Sequence, residues 1–236
     1  ELTSRKVTAE HIDRLQSWGA VSLKQHSHPH RDRRQWIADV AREKGIMLTA
    51  EGYDLEYNLG QAMDGYSGWE HPLSVIPIYS DVAKFFGRTK TVYSNPFMFD
   101  SPTAANIEYW YTESDVWKQE KQRRWMPWRM TTFLRRRTLR PETDYSFGLI
   151  AQGLADILAE GGRGALGGHG EHHGTSIHWE IWMASTALGP LDALRTATLG
   201  SASFLGAERD LGSLEPGKLA DLIVLNQNPL DNIRNT

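Results

Sequence analysis

The sequence predicts an α/β fold of parallel strands joined by helical crossovers, and two observations predict it. Short apolar runs recur through the first half at intervals of about 20 to 26 residues, near the roughly 30 that one strand, one helix and their loops occupy. The stretches between them are amphipathic with helical spacing, which a meander of hairpins would not need.

Taken in order, the strands are expected at AVSLK (20–24), IMLTA (46–50), SGWEH (67–71), KTVYS (90–94) and RGALG (163–167). Between the first two, RDRRQWIADVAREKG places Trp36, Ile37, Val40 and Ala41 on one face with charges opposite, and Gly45 supplies the stop. LEYNLGQAMDG, closed by Gly65, gives a shorter crossover helix. After Ser94 the alternation breaks, so residues 95–141 read as an insertion. From 118 to 140 it carries Lys118, Lys121, Arg123, Arg124, Arg129, Arg135, Arg136, Arg137 and Arg140 among Trp125, Trp128 and Phe133, against only Glu120. Basic residues interleaved with aromatics can bind single-stranded nucleic acid. A formal net charge of −3 gives the whole molecule no field to gather it. The insertion therefore reads as a lid or interface arm, with its Trp side chains as packing anchors and its arginines paired to carboxylates; nucleic acid is not an expected partner.

Pattern then returns. ETDYSFGLIAQGLADILAEGG is a helix ending on glycines, and HWEIWMASTALG and PLDALRTATLGSASFLG are two more, the second with Pro190 in its first turn, where a missing N–H is tolerated. Pro216-Gly217 make a turn, and Leu222 to Leu225 form a last strand outside the alternation.

A chain of 236 residues can bury a core as one large domain or two small ones. It has no cysteine, which excludes disulfides, thiolate metal sites and a Cys nucleophile, so any metal must take N and O donors. The opening ELTSRKVTAE lacks the features of a signal peptide, and no run approaches the roughly 18 apolar residues of a membrane span. No membrane partner is expected, and cytoplasm and periplasm both stay open. The chain begins without an initiator Met, so a segment upstream is expected.

Parallel α/β folds place their sites at the carboxyl ends of the strands, where the loops converge. The first strand ends at Lys24, followed by the histidine-rich Gln25-His26-Ser27-His28-Pro29-His30; the second ends at Glu51, the third at Glu70 and His71. The last ends at His169, with Glu171, His172 and His173 just beyond in the glycine-rich stretch 161–174. Imidazoles and carboxylates recurring at successive strand ends make a candidate metal site, since these are the donors zinc takes when thiolate is absent. Protonated lysine is a poor ligand, but CO₂ adding to its amine gives an anionic carbamate able to bridge two cations. Each residue also has a plainer reading: Glu51 as a cap of the next helix, His71 as a hydrogen-bonded spectator, the 26–30 segment as a solvated turn. Coincidence of position favours the joint site. Nucleophilic alternatives are poor, because GYSG (65–68) is one residue short of a nucleophile elbow and precedes its strand.

SGWEHPL resembles the sixth-strand motif of the amidohydrolase superfamily, in the imidazolonepropionase-like branch. GPLDALRTATLGSASFLGAERDLGSLEPGKLADLIVLNQNPLDNIR resembles that superfamily's C-terminal signature. The resemblance implies a (β/α)₈ TIM-type barrel, here partial and spanning the family's strands four to eight over residues 1–208, with 209–236 as a segment of a small β-sandwich. It implies hydrolysis of C–N bonds (amides, cyclic amides) or esters of a small-molecule substrate through a metal-activated water. One or two divalent ions, zinc foremost, would be bound by Lys24 (as a carbamate), Glu51, His71 and His169, with His169 or Glu171 handling protons. Glu51 stands where the family usually has histidine, and His169 where it usually has aspartate. A loop through which metal and substrate approach the backbone needs small residues, which accounts for the glycines around His169; His172 and His173 are expected to be solvated or satisfied by the neighbouring loop. Since five strands do not close an eight-stranded barrel, the alternative is a catalytically silent or weakly promiscuous fragment held as a homo-oligomer.

Overall fold

A computed structural model describes residues 2–99, 101–133, 138–170 and 172–236. Five strands form one parallel sheet in the order β1 (Ser22–Gln25), β2 (Met47–Glu51), β3 (Gly68–Glu70), β4 (Val92–Ser94) and β5 (Arg163–Ala165). Each neighbours its predecessor in sequence, and each falls within or one residue beyond an expected run. Glycine or a short polar turn precedes most of them, and the site-bearing loops follow.

The crossovers are helical. Helix α2 (Arg31–Glu43) turns Ile37, Val40 and Ala41 inward as its pattern predicts, and Ala38 with them, while Trp36 is only half-buried; α3 (Leu55–Asp64) stops at Gly65, whose φ of 96° only glycine adopts at low cost. Helix α4 (Ser80–Thr89) connects β3 to β4. An unexpected helix, α1 (Arg5–Ser17), precedes β1; the Ser4 hydroxyl caps it by accepting from Val7 N at 3.2 Å. In the insertion lie α5 (Asn106–Glu113) and two six-residue helices, α6 (Glu120–Trp125) and α7 (Trp128–Phe133). Trp125 and Trp128 are 80% and 74% exposed, so they are not the anchors the sequence suggested. Helices this short offer too little surface to bury both. Arg135, Arg136 and Arg137 lie outside the described residues.

Helix α8 (Phe147–Ala159) leads to β5, and α9 (Ser176–Arg195) follows the glycine-rich loop. The two helical runs expected there join end to end across a kink at Gly189, φ 73°, which seats Pro190 at the start of the second run. A π-helical turn (Thr196–Gly200) and α10 (Ser201–Phe204) close this part. The helices make a continuous layer, α1 on α2, α2 on α3, α3 on α4, α4 on α8 and α8 on α9. Against it Leu23, Leu48, Ala50, Trp69 and Tyr93 are buried, Trp69 with its ring 4.2 Å from that of Phe86. Burial of each such large apolar side chain contributes about 1.5–3 kcal/mol.

The strand expected at Leu222–Leu225 forms no ladder here. Leu222, Ile223 and Val224 are exposed, because a strand exists only by pairing and no described element presents an edge to this segment. The chain end instead returns to α9, where Trp182 Nε1 donates to Thr236 Oγ1 at 2.8 Å and Arg234 lies over the Trp110 and Trp182 rings.

Candidate active site

Side chains alternate across a strand, so the residues opposite to the helix-facing set share the other face. Register aligns Glu51 with Glu70, Glu70 with Ser94 and Ser94 with Ala165, one row at the carboxyl edge, and Lys24 pairs with Thr49 one step behind. The row carries the chemistry. Lys24 Nζ lies 2.8 Å from Glu51 Oε2 and also donates to Glu70 Oε2. His71 Nε2 is 2.5 Å from Glu51 Oε1. The Glu51 and His71 side chains are mostly buried and Lys24 is partly so. Burial pulls the Lys24 ammonium down, but its bonds to Glu51 and Glu70 outweigh that and hold it above the usual lysine value.

Backbone strain marks both histidines at this edge. His71 has φ 75° and His169 φ 46°, left-handed values that side-chain-bearing residues rarely adopt. The two rings meet edge to face at 5.1 Å, and Phe99 stacks on His169 at 4.1 Å and 14°. Gly52 permits the close approach of β2 to β3: its N–H donates to Glu70 O at 2.7 Å, and a Cβ there would sit 2.6 Å from that oxygen. A cleft of about 560 Å³ opens beside Glu51 and His71, walled by Tyr53, Pro72, Leu73, Ile76 and Phe99.

Of the sequence-predicted residues, Lys24, Glu51, His71 and His169 therefore share one end of the sheet. Lys24, Glu51 and His71 are joined by direct contacts, and His169 adjoins through its ring. As placed, they pair with one another: among the described residues no three His, Asp or Glu side chains converge as ligands of one ion. Lys24 as a carbamate would put a third anion against Glu51 and Glu70, and so requires the ammonium pairing seen here to be undone. Glu51 does not cap the next helix; Asp54 does, accepting from Tyr57 N at 2.7 Å. His26 is exposed and 4.0 Å from Glu51. The His28 and Pro29 carbonyls accept from Arg34 Nη1, which fixes the histidine-rich turn.

Glu171 lies outside the described residues. His172, expected to be solvated or met by its neighbouring loop, is fully buried and stacks on Trp179 at 5.2 Å, while His173 is exposed. Gln122 of α6 donates to the His173 carbonyl at 3.4 Å and to the Thr175 hydroxyl, so the inserted arm reaches the loop that carries His169. Phe99 is the site residue that the sequence did not point to, and Glu70, named at its strand end, stood outside the expected ligand set. Glu70 was legible as the period-two partner of Gly68; Phe99, in an irregular loop, had no periodic signal.

Comparison with known proteins agrees with this architecture. Residues 151–236 match the model of the Amidohydrolase family. An adenine deaminase 3 of Rhizobium meliloti is 55% identical over 40 residues, 17% of this chain and 7% of that protein. An imidazolonepropionase of Symbiobacterium thermophilum is 49% identical over 39 residues, 16% of this chain and 9% of that protein. The crystal structure of a Xaa-Pro dipeptidase with bound methionine in the active site superposes at a TM-score of 0.67 and 17% identity, covering 99% of this chain and 55% of that one. The chain thus spans about half the length of the solved structures it resembles, and its matches to the curated relatives take in less than a tenth of each. The C-terminal part of the chain, residues 151–236, is thus similar to the Amidohydrolase family, and the chain as a whole shares the fold of these solved structures.

Proposed function

We propose that the strand-end cluster is the hydrolytic site of a metal-dependent enzyme that cleaves C–N bonds of amides or cyclic amides, or esters, of a small molecule. One observation carries the reading: the contact series Lys24–Glu51–His71, with His169 beside it, at the carboxyl edge of successive parallel strands. A deaminase and a dipeptidase among the similar proteins, names that denote C–N cleavage, support it.

The donor chemistry fits a divalent ion. Two carboxylates already hold a cation, the Lys24 ammonium, and imidazole nitrogens adjoin them. Glu51, His71 and His169 would hold the ion, zinc being suited to such N and O donors, and Lys24 would join them as a carbamate. Bound there, such an ion would supply polarisation of the scissile carbonyl and a lowered pKa for a water. The chain's own residues do the rest. Glu51 fixes the His71 ring through the bond to Nε2. The apolar walls at Leu73, Ile76 and Phe99 seat the non-reacting part of the substrate and exclude water from it. The carboxylate of Glu171, or His169 if its ring is not engaged by the ion, accepts a proton from the attacking water and returns it to the leaving nitrogen or oxygen.

The test is hydrolysis of a panel of dipeptides, cyclic amides and esters with and without added Zn²⁺. His71→Ala should lower kcat/KM by more than about 100-fold with the circular dichroism spectrum unchanged. Activity undiminished in strong chelator ends the reading.

A second reading has its own support. In the described sheet β1 and β5 each pair on one side only, and Ile223 and Val224 are 70% and 89% exposed. Open edges and apolar segments of this kind favour association, which fits a silent or weakly promiscuous chain held as a homo-oligomer.

A further inference from the structure

We infer that Glu180 is a positioning residue: its buried carboxylate fixes the Phe97–Phe99 segment and, through the Phe99 ring, sets the orientation of His169. Glu180 stands on α9 between Trp179 and Ile181 and is fully buried. Its two oxygens accept from successive backbone N–H groups, Phe97 N to Oε2 at 2.7 Å and Met98 N to Oε1 at 3.0 Å. From the other side α5 holds the same two residues, Asn106 Nδ2 donating to Phe97 O at 2.7 Å and Ile107 N to Met98 O at 3.1 Å. The three peptide groups from Pro96 to Phe99 are thereby pinned. That ring then lies parallel to His169.

A carboxylate is a costly way to fill an apolar position, since burying it forfeits hydration. Two backbone donors meeting both oxygens offset that cost, and what they secure is the course of this loop. His169 needs such support. It sits at φ 46° with Gly170 at φ 88° behind it, on a glycine-rich stretch whose backbone is intrinsically permissive. The loop after β4 supplies the rigidity that the loop after β5 lacks. A proton-carrying task for His169 rests on the proposed hydrolytic reading; the placement of its ring does not.

The experiment is NMR of the imidazole signals, with the His169 resonances assigned by His169→Gln. In the wild-type protein the Phe99 ring current shifts the His169 ring protons upfield, and Phe99→Leu abolishes that shift. Glu180→Gln keeps the shape but replaces one acceptor with a donor, so the His169 signals should move toward their Phe99→Leu positions, and Glu180→Asp should restore part of the shift. A merely structural role would lower the melting temperature and leave these signals in place; a folded Glu180→Gln variant with wild-type His169 resonances overturns the inference. Should that variant not fold, amide exchange in the wild-type protein decides. The Phe97 and Met98 amides are expected to exchange at least about 100-fold more slowly than those of exposed loops, and unprotected amides there reject it. An inactive wild-type protein with the expected shifts counts against the hydrolase reading alone.

Discussion

His71 and His169 hold left-handed backbone angles at adjoining strand ends, and strain of about 1–3 kcal/mol at each such residue persists only where the surroundings impose it. Position at the carboxyl ends of successive strands made Lys24, Glu51 and His71 legible as a group before any coordinates, because the loops of a parallel sheet converge there. Two other histidines set a pH dependence. Burial holds His178 below the ordinary value of 6.5, and burial followed by repulsion from Arg33 does the same for His28. In the unfolded chain both take up a proton as pH falls through that value, whereas the folded protein resists it, so the unfolded state binds more protons and stability drops. Urea midpoints should therefore decline as pH falls through the ordinary histidine value of 6.5, less steeply in His178→Gln; a flat profile would contradict this. The burial of His172 was not legible, since its aromatic partners Tyr111 and Trp179 come from separate helices.

The five strands and the α2 and α3 crossovers could be read from the sequence because each is a periodic run with its own stop. Helix α1 escaped notice although Ser4 is a favourable cap; its apolar face is sparse, with only Thr8 and Ile12 buried. The segment Leu222–Leu225 shows the converse: its β-favouring composition was plain, but a strand's existence depends on a partner elsewhere. At this scale the layer between sheet and helices carries the stability. Phe86, fully buried on α4 against Trp69, should cost about 3–5 kcal/mol when replaced by alanine, read as a lowered denaturant midpoint. Replacing the exposed Trp125 should leave that midpoint within about 0.5 kcal/mol; equal effects of the two changes would refute this account of the core.

Across the whole molecule, five parallel strands in sequential order form an open sheet with chemistry along one edge. Light scattering should report a self-associated species, since in the described sheet β1 and β5 each pair on one side only and the 222–224 segment is apolar and exposed. A well-folded monomer at high concentration would remove the support for the oligomeric reading. The central claim is that Glu51, His71 and His169 serve one cation, and anomalous diffraction from crystals loaded with Zn²⁺ tests it most directly. The account predicts a peak within bonding reach of these side chains, with Lys24 released from Glu51. A peak elsewhere, or none while the Lys24–Glu51 and His71–Glu51 contacts persist, would contradict it.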